Sequence, residues 1–462
     1  MNNKNKSLIK NIGLFTIGSF GSKILTFLLV PLYTTVLSTA EYGAVDLTTS
    51  TSSLLAPIFL LGIFDATLRF GMDSDYKKED VISTSINIAN KGLLILLLCL
   101  SFISITHVIN VQNSYLIFLG LYCTINAYGQ IFNLYLRAKN QASVIAVSGI
   151  LCTLITCLSN ILFLLVFKFG ILGYMISNII GILVQNLYQL FVGKIYKDIR
   201  IQSYHNLSKP MVKYSVPLIA NSISLWINNA SDRYILTFMK GVAVNGIYSV
   251  SYKIPTILFM FQNIFYNAWS ISAIAEFDEN DSDGFIGNNY LIYSLISLLV
   301  CSGLLIINIP LATFLYKGNY FIAWRCVPFL LAAMVFNGIS QFEGSLFSAT
   351  RNTKLVAKTT VIGAIVNTTC NFIFIYFWGA VGAAFATLLG YLTTWFLRTK
   401  YLQNFIKMKV NWHRHFISII LVLIQTVMAT VGVSPTLHLI FFMLLVLVNK
   451  DYLILIVKKI KH

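Results

Sequence analysis

Charge is what this sequence has least of. Charged residues make up 11% of its 462 positions, and Asp and Glu together number 16. Ordinary globular proteins carry roughly 25% charged residues, so a cytosolic enzyme of this composition is excluded. The seven cysteines (Cys99, Cys123, Cys152, Cys157, Cys301, Cys326, Cys370) include no CxxC pair and lie in or beside apolar segments. They read as small packing residues, and a secreted disulfide scaffold is excluded with them. There is no Walker A string GxxxxGK(S/T) and no HExxH, the strings that carry P-loop nucleotide hydrolysis and zinc-protease chemistry. Driving energy must then come from an ion gradient, the membrane potential or substrate mass action. No connection is long enough to form a soluble domain.

Apolar residues fill the space that charge leaves. The hydrophobic share is 57% and the mean hydropathy is +0.77. A membrane-crossing helix takes about 20 mostly apolar residues. Such stretches read at about 11–35, 43–68, 84–109, 113–136, 141–167, 170–192, 214–238, 242–268, 287–309, 324–348, 355–377, 379–397, 416–433 and 436–457. The basic start runs into the first of them without a small-residue cleavage site and reads as a retained helix.

The net charge of +17 would invite a nucleic-acid reading in a soluble chain. Here the basic residues sort into alternate connections, the pattern that orients membrane helices. One side receives Lys4, Lys6, Lys10, Arg69, Lys77, Lys78, Arg137, Lys139, Lys194, Lys197, Arg200, Lys209, Lys213, Arg351, Lys354, Lys358, Arg398, Lys400, Lys407, Lys409, Arg414, Lys458, Lys459 and Lys461. The other receives Lys168, Lys240, Lys317 and Arg325. The rule places the first side, and both termini, in the cytoplasm. Residues 194–213 read as an amphipathic cytoplasmic linker. They divide an N-terminal lobe, 1–193, from a second lobe, 214–410, followed by two further helices in 411–462.

The two lobes echo each other. Gly170, Gly173 and Gly181 recur as Gly379, Gly382 and Gly390, all displaced by 209, and Lys10 and Gly43 recur as Lys213 and Gly246, displaced by 203. Any one glycine match is ordinary helix packing. Jointly they predict an all-α polytopic fold: two pseudo-symmetric six-helix lobes in the same orientation, plus two C-terminal helices, about 14 spans. Parallel repeats of this kind place a transporter's substrate site between lobes.

Polar residues run through the apolar stretches at helical spacing. The first span carries Thr16, Ser19, Lys23 and Thr26; the second carries Asp46, Thr49, Ser50 and Ser53; the third carries Asn87 and Lys91. The seventh has Asn221, Ser224, Asn228, Asp232 and Arg233, the eighth Ser249, Lys253 and Thr256, and the tenth Asn337, Gln341, Glu343 and Ser345. An ionisable group at mid-bilayer costs about 2.5–3.5 kcal/mol on insertion scales, so such stripes face each other or a wet cavity. A central hydrophilic cavity is expected, with interhelical Asp–Lys pairing as the structural alternative. Pro31, Pro57, Pro217, Pro255 and Pro328 favour bends in these helices. Asp73-Ser-Asp75 and Asp281-Ser-Asp283 resemble metal–nucleotide-sugar strings but read as solvated loops, and His413 and His415 read as part of a basic loop.

Asp232-Arg233-Tyr234-Ile235-Leu236, Gly241, the run Gly246-Ile247-Tyr248-Ser249-Val250-Ser251-Tyr252-Lys253-Ile254-Pro255, and Ala268-Trp269 together resemble the polysaccharide-biosynthesis (Wzx-type) flippases. Ala40-Glu41-Tyr42-Gly43 and Gly379-Ala380-Val381-Gly382 fit the same family. The resemblance implies the multidrug/oligosaccharidyl-lipid/polysaccharide exporter fold, with two lobes around a cavity; fourteen spans exceed the twelve usual there. It also implies a cargo, an undecaprenyl-diphosphate-linked oligosaccharide of the O-antigen or capsule type. That cargo would cross from the cytoplasmic to the periplasmic leaflet of a bacterial inner membrane, with a polysaccharide polymerase and chain-length regulator as partners and no nucleic acid.

On this view Lys23 and Lys253 hold the diphosphate, supported by Lys91 and Arg233, while Asn228 and Gln341 suit sugar hydroxyls. Asp46, Asp232 and Glu343 balance charge, and one of them takes a coupling Na⁺ or H⁺; no other cofactor and no resident metal are expected. Two rivals share the fold: a cation antiporter, which calls for an acidic, aromatic cavity, and a peptidoglycan-precursor flippase, which differs in cargo. A polymerase or lipid-sugar transferase would need a large outer loop that the sequence lacks.

Overall fold

The computed structural model describes residues 21, 23–109, 111–200, 205–350 and 352–453. Lys4, Lys6, Lys10, Thr16, Ser19, Arg351, Lys458, Lys459 and Lys461 lie outside them. Among the described residues every regular element is helical. In chain order these are α1 (Lys23–Val36), α2 (Thr39–Phe59), α3 (Ile63–Gly71), α4 (Lys78–Thr106), α5 (Asn113–Ala138), α6 (Ala142–Ile161) and α7 (Gly170–Val192). The short α8 (Ile195–Asp198) leads to α9 (His205–Lys240), α10 (Val242–Ser251), α11 (Pro255–Ala275), α12 (Phe285–Ile306) and α13 (Asn308–Leu315). Then come α14 (Val327–Ala349), α15 (Thr353–Leu402), α16 (Trp412–Val431) and α17 (Pro435–Val448).

Among the described residues seven helices are long and apolar enough to cross a membrane, and two bent pairs raise that to nine: α2 with α3 at 61°, and the Gly318–Arg325 turn with α14 at 50°. The chain is a multi-pass membrane protein. Pro57 lies three residues before the first bend, where its missing N–H relaxes the ladder, and Pro328 opens the helix after the second, a position whose N–H would have no intrahelical partner. Pro217 sits inside α9 without dividing it, and α9 begins at residue 205, within the stretch read from sequence as a linker.

The chain divides into two compact units, Met1–Ser231 and Asp232–His462. Each contains one copy of the glycine triplet, and both copies do the same work. Gly170 and Gly379 hold φ of +56° and +54°, a left-handed turn that a side chain resists. A Cβ on Gly173 would meet Phe163 Cβ at 3.0 Å, and one on Gly382 would meet the Phe374 carbonyl oxygen at 2.0 Å. Gly181 is pressed against Thr156 and Gly390 against Asn367. In the second unit the turn at Gly379 breaks α15 into two arms that double back on each other.

Each unit also fastens the segment after its last repeat helix to the start of its third. In the first unit the backbone N–H of Arg200 donates to Ser83 Oγ at 2.8 Å, and Asp198 accepts from Lys139 Nζ at 2.7 Å and Tyr135 Oη at 2.9 Å. In the second, the backbone N–H of Lys409 donates to Asp281 Oδ2 at 3.0 Å. Asp281 also takes the N–H groups of Ile286 and Gly287 in the first turn of α12, each at 2.9 Å. Arg200 and Lys409 are again 209 apart. Asp281 is thus fully buried, not a solvated loop residue: its carboxylate caps a helix and pins a connection at once. Asp73, by contrast, is partly exposed and pairs locally with Arg69 at 3.1 Å.

The units differ in what covers them. In the second, α16 packs along α12 and α14, with Ser302 Oγ donating to Gln425 Oε1 at 2.6 Å. Covered this way, α14 is buried on nearly every face. In the first unit α4 and α5 leave Leu98, Phe102, Ile105 and Ile117 bare, as helices facing lipid do.

Candidate functional site

Besides Asp281 in its connection, two carboxylates on helices lie buried among the described residues of the second unit, each in different company. Asp232, on α9, is 4% exposed. Its Oδ1 accepts from Asn371 Nδ2 at 2.6 Å, and its Oδ2 accepts from Thr387 Oγ1 at 2.8 Å and Tyr248 Oη at 2.9 Å. Asn371 and Thr387 stand eight residues on either side of Gly379, one on each arm of α15. The doubled-back arms approach closely because glycines line the seam: a Cβ on Gly363 would meet the Gly390 carbonyl oxygen at 2.8 Å. That seam brings both side chains to Asp232. Asn371 also donates to Asn367 Oδ1 at 2.6 Å, and its own Oδ1 has no hydrogen-bond partner among the described residues. The cluster therefore gathers carboxylate, amide and hydroxyl oxygens, the donor types that hold hard cations or a proton.

Glu343, on α14, is fully buried. Thr399 Oγ1 donates to its Oε1 at 2.6 Å, while Oε2 has no hydrogen-bond partner among the described residues. The nearby Arg398 is 6% exposed and bonds elsewhere: Nε to Thr359 Oγ1 at 3.1 Å, and the terminal nitrogens to Thr360 Oγ1 at 2.9 Å and to the Ser340 carbonyl. Beside the carboxyl is the Tyr290 hydroxyl, which accepts from Trp395 Nε1 at 3.1 Å and faces His415 Nε2 at 3.4 Å.

The other residues singled out from sequence are less enclosed. In the first unit Lys23 and Lys91 are exposed, and Asp46 and Asn228 are half-buried. Along α2, Thr48, Thr49, Thr51 and Ser53 bond backbone carbonyls one turn back, which satisfies each hydroxyl on its own helix. In the second unit Arg233 is half-buried with its guanidinium carbon 5.8 Å from the Tyr252 ring centroid. Lys253 is half-buried in the turn between α10 and α11, and Gln341 Nε2 donates to Asn337 Oδ1 at 3.2 Å.

Tyr248, Asn371, Thr387, Tyr290, Arg398, Thr399 and His415 were not singled out from sequence as site residues. Charge pattern places Arg398 and His415 in basic connections, yet both are buried in helices, His415 at 4% exposure. Their helices extend about one turn beyond the apolar stretch that marked them. Asn367 and Asn371, four apart and so on one helix face, are the sequence signal for the Asp232 cluster.

Residues 8–270 match the polysaccharide biosynthesis protein family. The chain is 22% identical over 228 residues to a probable low-salt glycan biosynthesis flippase, Agl15, of Haloferax volcanii. That alignment covers 48% of this chain and 47% of the relative, so the chain spans about half the length of the relative it matches. The fold is similar to that of lipid II flippase MurJ in an inward closed conformation, with TM-score 0.71, 17% identity and coverage of 97% of this chain and 100% of that one. It is also similar to an inward-facing multidrug resistance MATE family transporter of the MOP superfamily, with TM-score 0.63, 14% identity and coverage of 83% and 94%. The chain therefore shares the fold of these two structures.

Proposed function

The chain belongs to the polysaccharide biosynthesis protein family, and from that membership we propose that it is a flippase for lipid-linked glycan. The observation that carries this reading is the family match over residues 8–270 on a transporter fold with polar stripes in its helices. The proposed cargo is an oligosaccharide repeat unit on undecaprenyl diphosphate, of the O-antigen or capsule type. It is moved by alternating access from the cytoplasmic to the periplasmic leaflet of the bacterial inner membrane, with both termini cytoplasmic.

Lys23 and Lys253, with Lys91 and Arg233, take the diphosphate, because ammonium and guanidinium groups form charge-assisted hydrogen bonds to phosphate oxygens. Asn228 and Gln341 offer amides to sugar hydroxyls, and Asp46 balances the basic stripe. Asp232, in its ring of oxygen donors, takes the coupling Na⁺ or H⁺. With the interior negative, outward movement of an anion gains about 2.3 kcal/mol per charge per 100 mV. A polysaccharide polymerase and chain-length regulator would act on the delivered unit.

The test is depletion in the native cell, followed by labelling of the lipid-linked oligosaccharide with a membrane-impermeant sugar-modifying probe. Single units trapped out of the probe's reach are the expected result. Units that are reachable but unpolymerised would point to a polymerase. A trapped peptidoglycan precursor would change the cargo, and altered sensitivity to cationic drugs alone would mark an antiporter. Within the site, full transport by the Lys23→Ala, Lys253→Ala double variant would end the diphosphate assignment.

A further inference from the structure

The Glu343 cluster has features that charge balance does not explain. A buried ionised carboxylate needs acceptor bonds on both oxygens, yet Oε2 has no partner among the described residues. Nor does Arg398 supply one. Its hydrogen bonds run to Thr359, Thr360 and the Ser340 carbonyl, which hold the guanidinium between α14 and the first arm of α15. A neutral carboxylic acid fits this geometry better: Oε1 accepts from Thr399, and Oε2 carries the proton.

A route for that proton lies next to it. The Tyr290 hydroxyl already accepts from Trp395 Nε1, so its own proton is free to point at Glu343 or at His415 Nε2. His415 lies in the first turn of α16, next to Arg414 and after the basic connection with Lys407 and Lys409. Glu343, Tyr290 and His415 are exposed by 0%, 0% and 4%, so the three form a buried line toward the basic end of the unit. Among the described residues Arg398 from α15 acts electrostatically on Glu343, and Tyr266 from α11 lies within electrostatic reach of Arg398.

We infer that Glu343 is a proton-binding site separate from Asp232, loaded and emptied through Tyr290 and His415. Glu343 takes up a proton on Oε2 as Tyr290 passes its hydroxyl proton inward and receives one from His415. Release runs the same steps in reverse, so no other reactant is required. The site stands whatever the cargo, because its ligand is the proton itself.

The experiment is an infrared pH titration of the full-length protein in detergent, following the carbonyl stretch of a protonated buried carboxylic acid. The expected result is a band that fades as pH rises, survives in Asp232→Asn and is absent in Glu343→Gln. Tyr290→Phe is expected to slow hydrogen–deuterium exchange of that band by about tenfold or more. The absence of any such band in the wild-type protein and in Asp232→Asn would overturn the site, even if Glu343→Gln failed to fold. A band that persists in a folded Glu343→Gln would overturn it as well. An unchanged exchange rate in Tyr290→Phe would overturn the route. None of these readouts requires glycan transport, so failure here leaves the flippase proposal standing, and the reverse also holds.

Discussion

The two units carry the same glycine triplet and the same fastening of a connection to their third helix, but they treat charge in opposite ways. In the first, Lys23 and Lys91 are exposed on their helices and Asp46 is half-buried. In the second, Asp232, Glu343 and Arg398 are all at 6% exposure or less, each inside a hydrogen-bond network. An exposed lysine in a membrane helix needs water or a polar partner, so the first unit's stripe belongs beside a wet surface. Enclosed carboxylates need donors supplied by the protein, and the doubled-back arms of α15 supply them. One repeat plan thus yields an open basic stripe in one copy and a sealed acidic interior in the other.

Breaking the sealed side should have the largest effect. Asp232→Leu removes the acceptor shared by Tyr248, Asn371 and Thr387, which keep Tyr252, Asn367 and the Ala383 carbonyl as partners, and three lost buried hydrogen bonds at about 0.5–1.5 kcal/mol each should sum to about 3 kcal/mol. A thermal melt in detergent measures this, and Asp232→Asn, which retains an acceptor, should melt much closer to wild type. Equal melting of the two variants would mean the network is not what stabilises the site.

The paired fastenings sharpen the comparison further. Asp281 is a charged acceptor of three backbone N–H groups, whereas Ser83 is a neutral acceptor of one from the connection. Asp281→Ala should therefore cost about 2–3 kcal/mol and Ser83→Ala about 1 kcal/mol. If the melts reverse that order, the fastenings are not equivalent in kind. Among the glycines, Gly382→Ala should destabilise by about 1–3 kcal/mol, and Gly173→Ala by less, since the added methyl would lie 2.0 Å from the Phe374 carbonyl oxygen in the first and no closer than 3.0 Å to any neighbour in the second.

The smallest stability change belongs to the open stripe. Lys23→Ala and Lys91→Ala should each shift stability by no more than about 0.5 kcal/mol while reducing glycan delivery in the leaflet-labelling assay. A large melting change with normal delivery would place those lysines in the framework and remove the contrast between the units.

Much of the plan was legible in the chain. Each long apolar stretch overlaps a helix, the displaced glycines mark a repeat that both units express in backbone angle and packing, and Asp232 and Glu343 stood out as charges within apolar stretches. Glu41, part of a family-like motif, is read locally too: it closes a capping box with Ser38 at the start of α2. Arg398, His415 and Asp281 are buried against the sequence expectation, because hydropathy marks where apolar residues stop, whereas burial depends on what packs over the ends. Glu343 and Thr399 are 56 residues apart, and Asp232 and Thr387 are 155 apart.

The sequence by itself determined a multi-pass helical membrane protein, its repeat and its family, because these follow from composition, from period and from residues at fixed spacing. Only the tertiary structure decided which charges are sealed and by whom. That depends on Gly379 reversing α15 and on α16 covering α12 and α14, contacts that no local pattern encodes. Whether a buried carboxylate is saturated, like Asp232, or left with a bare oxygen, like Glu343, is a property of several helices meeting at one point.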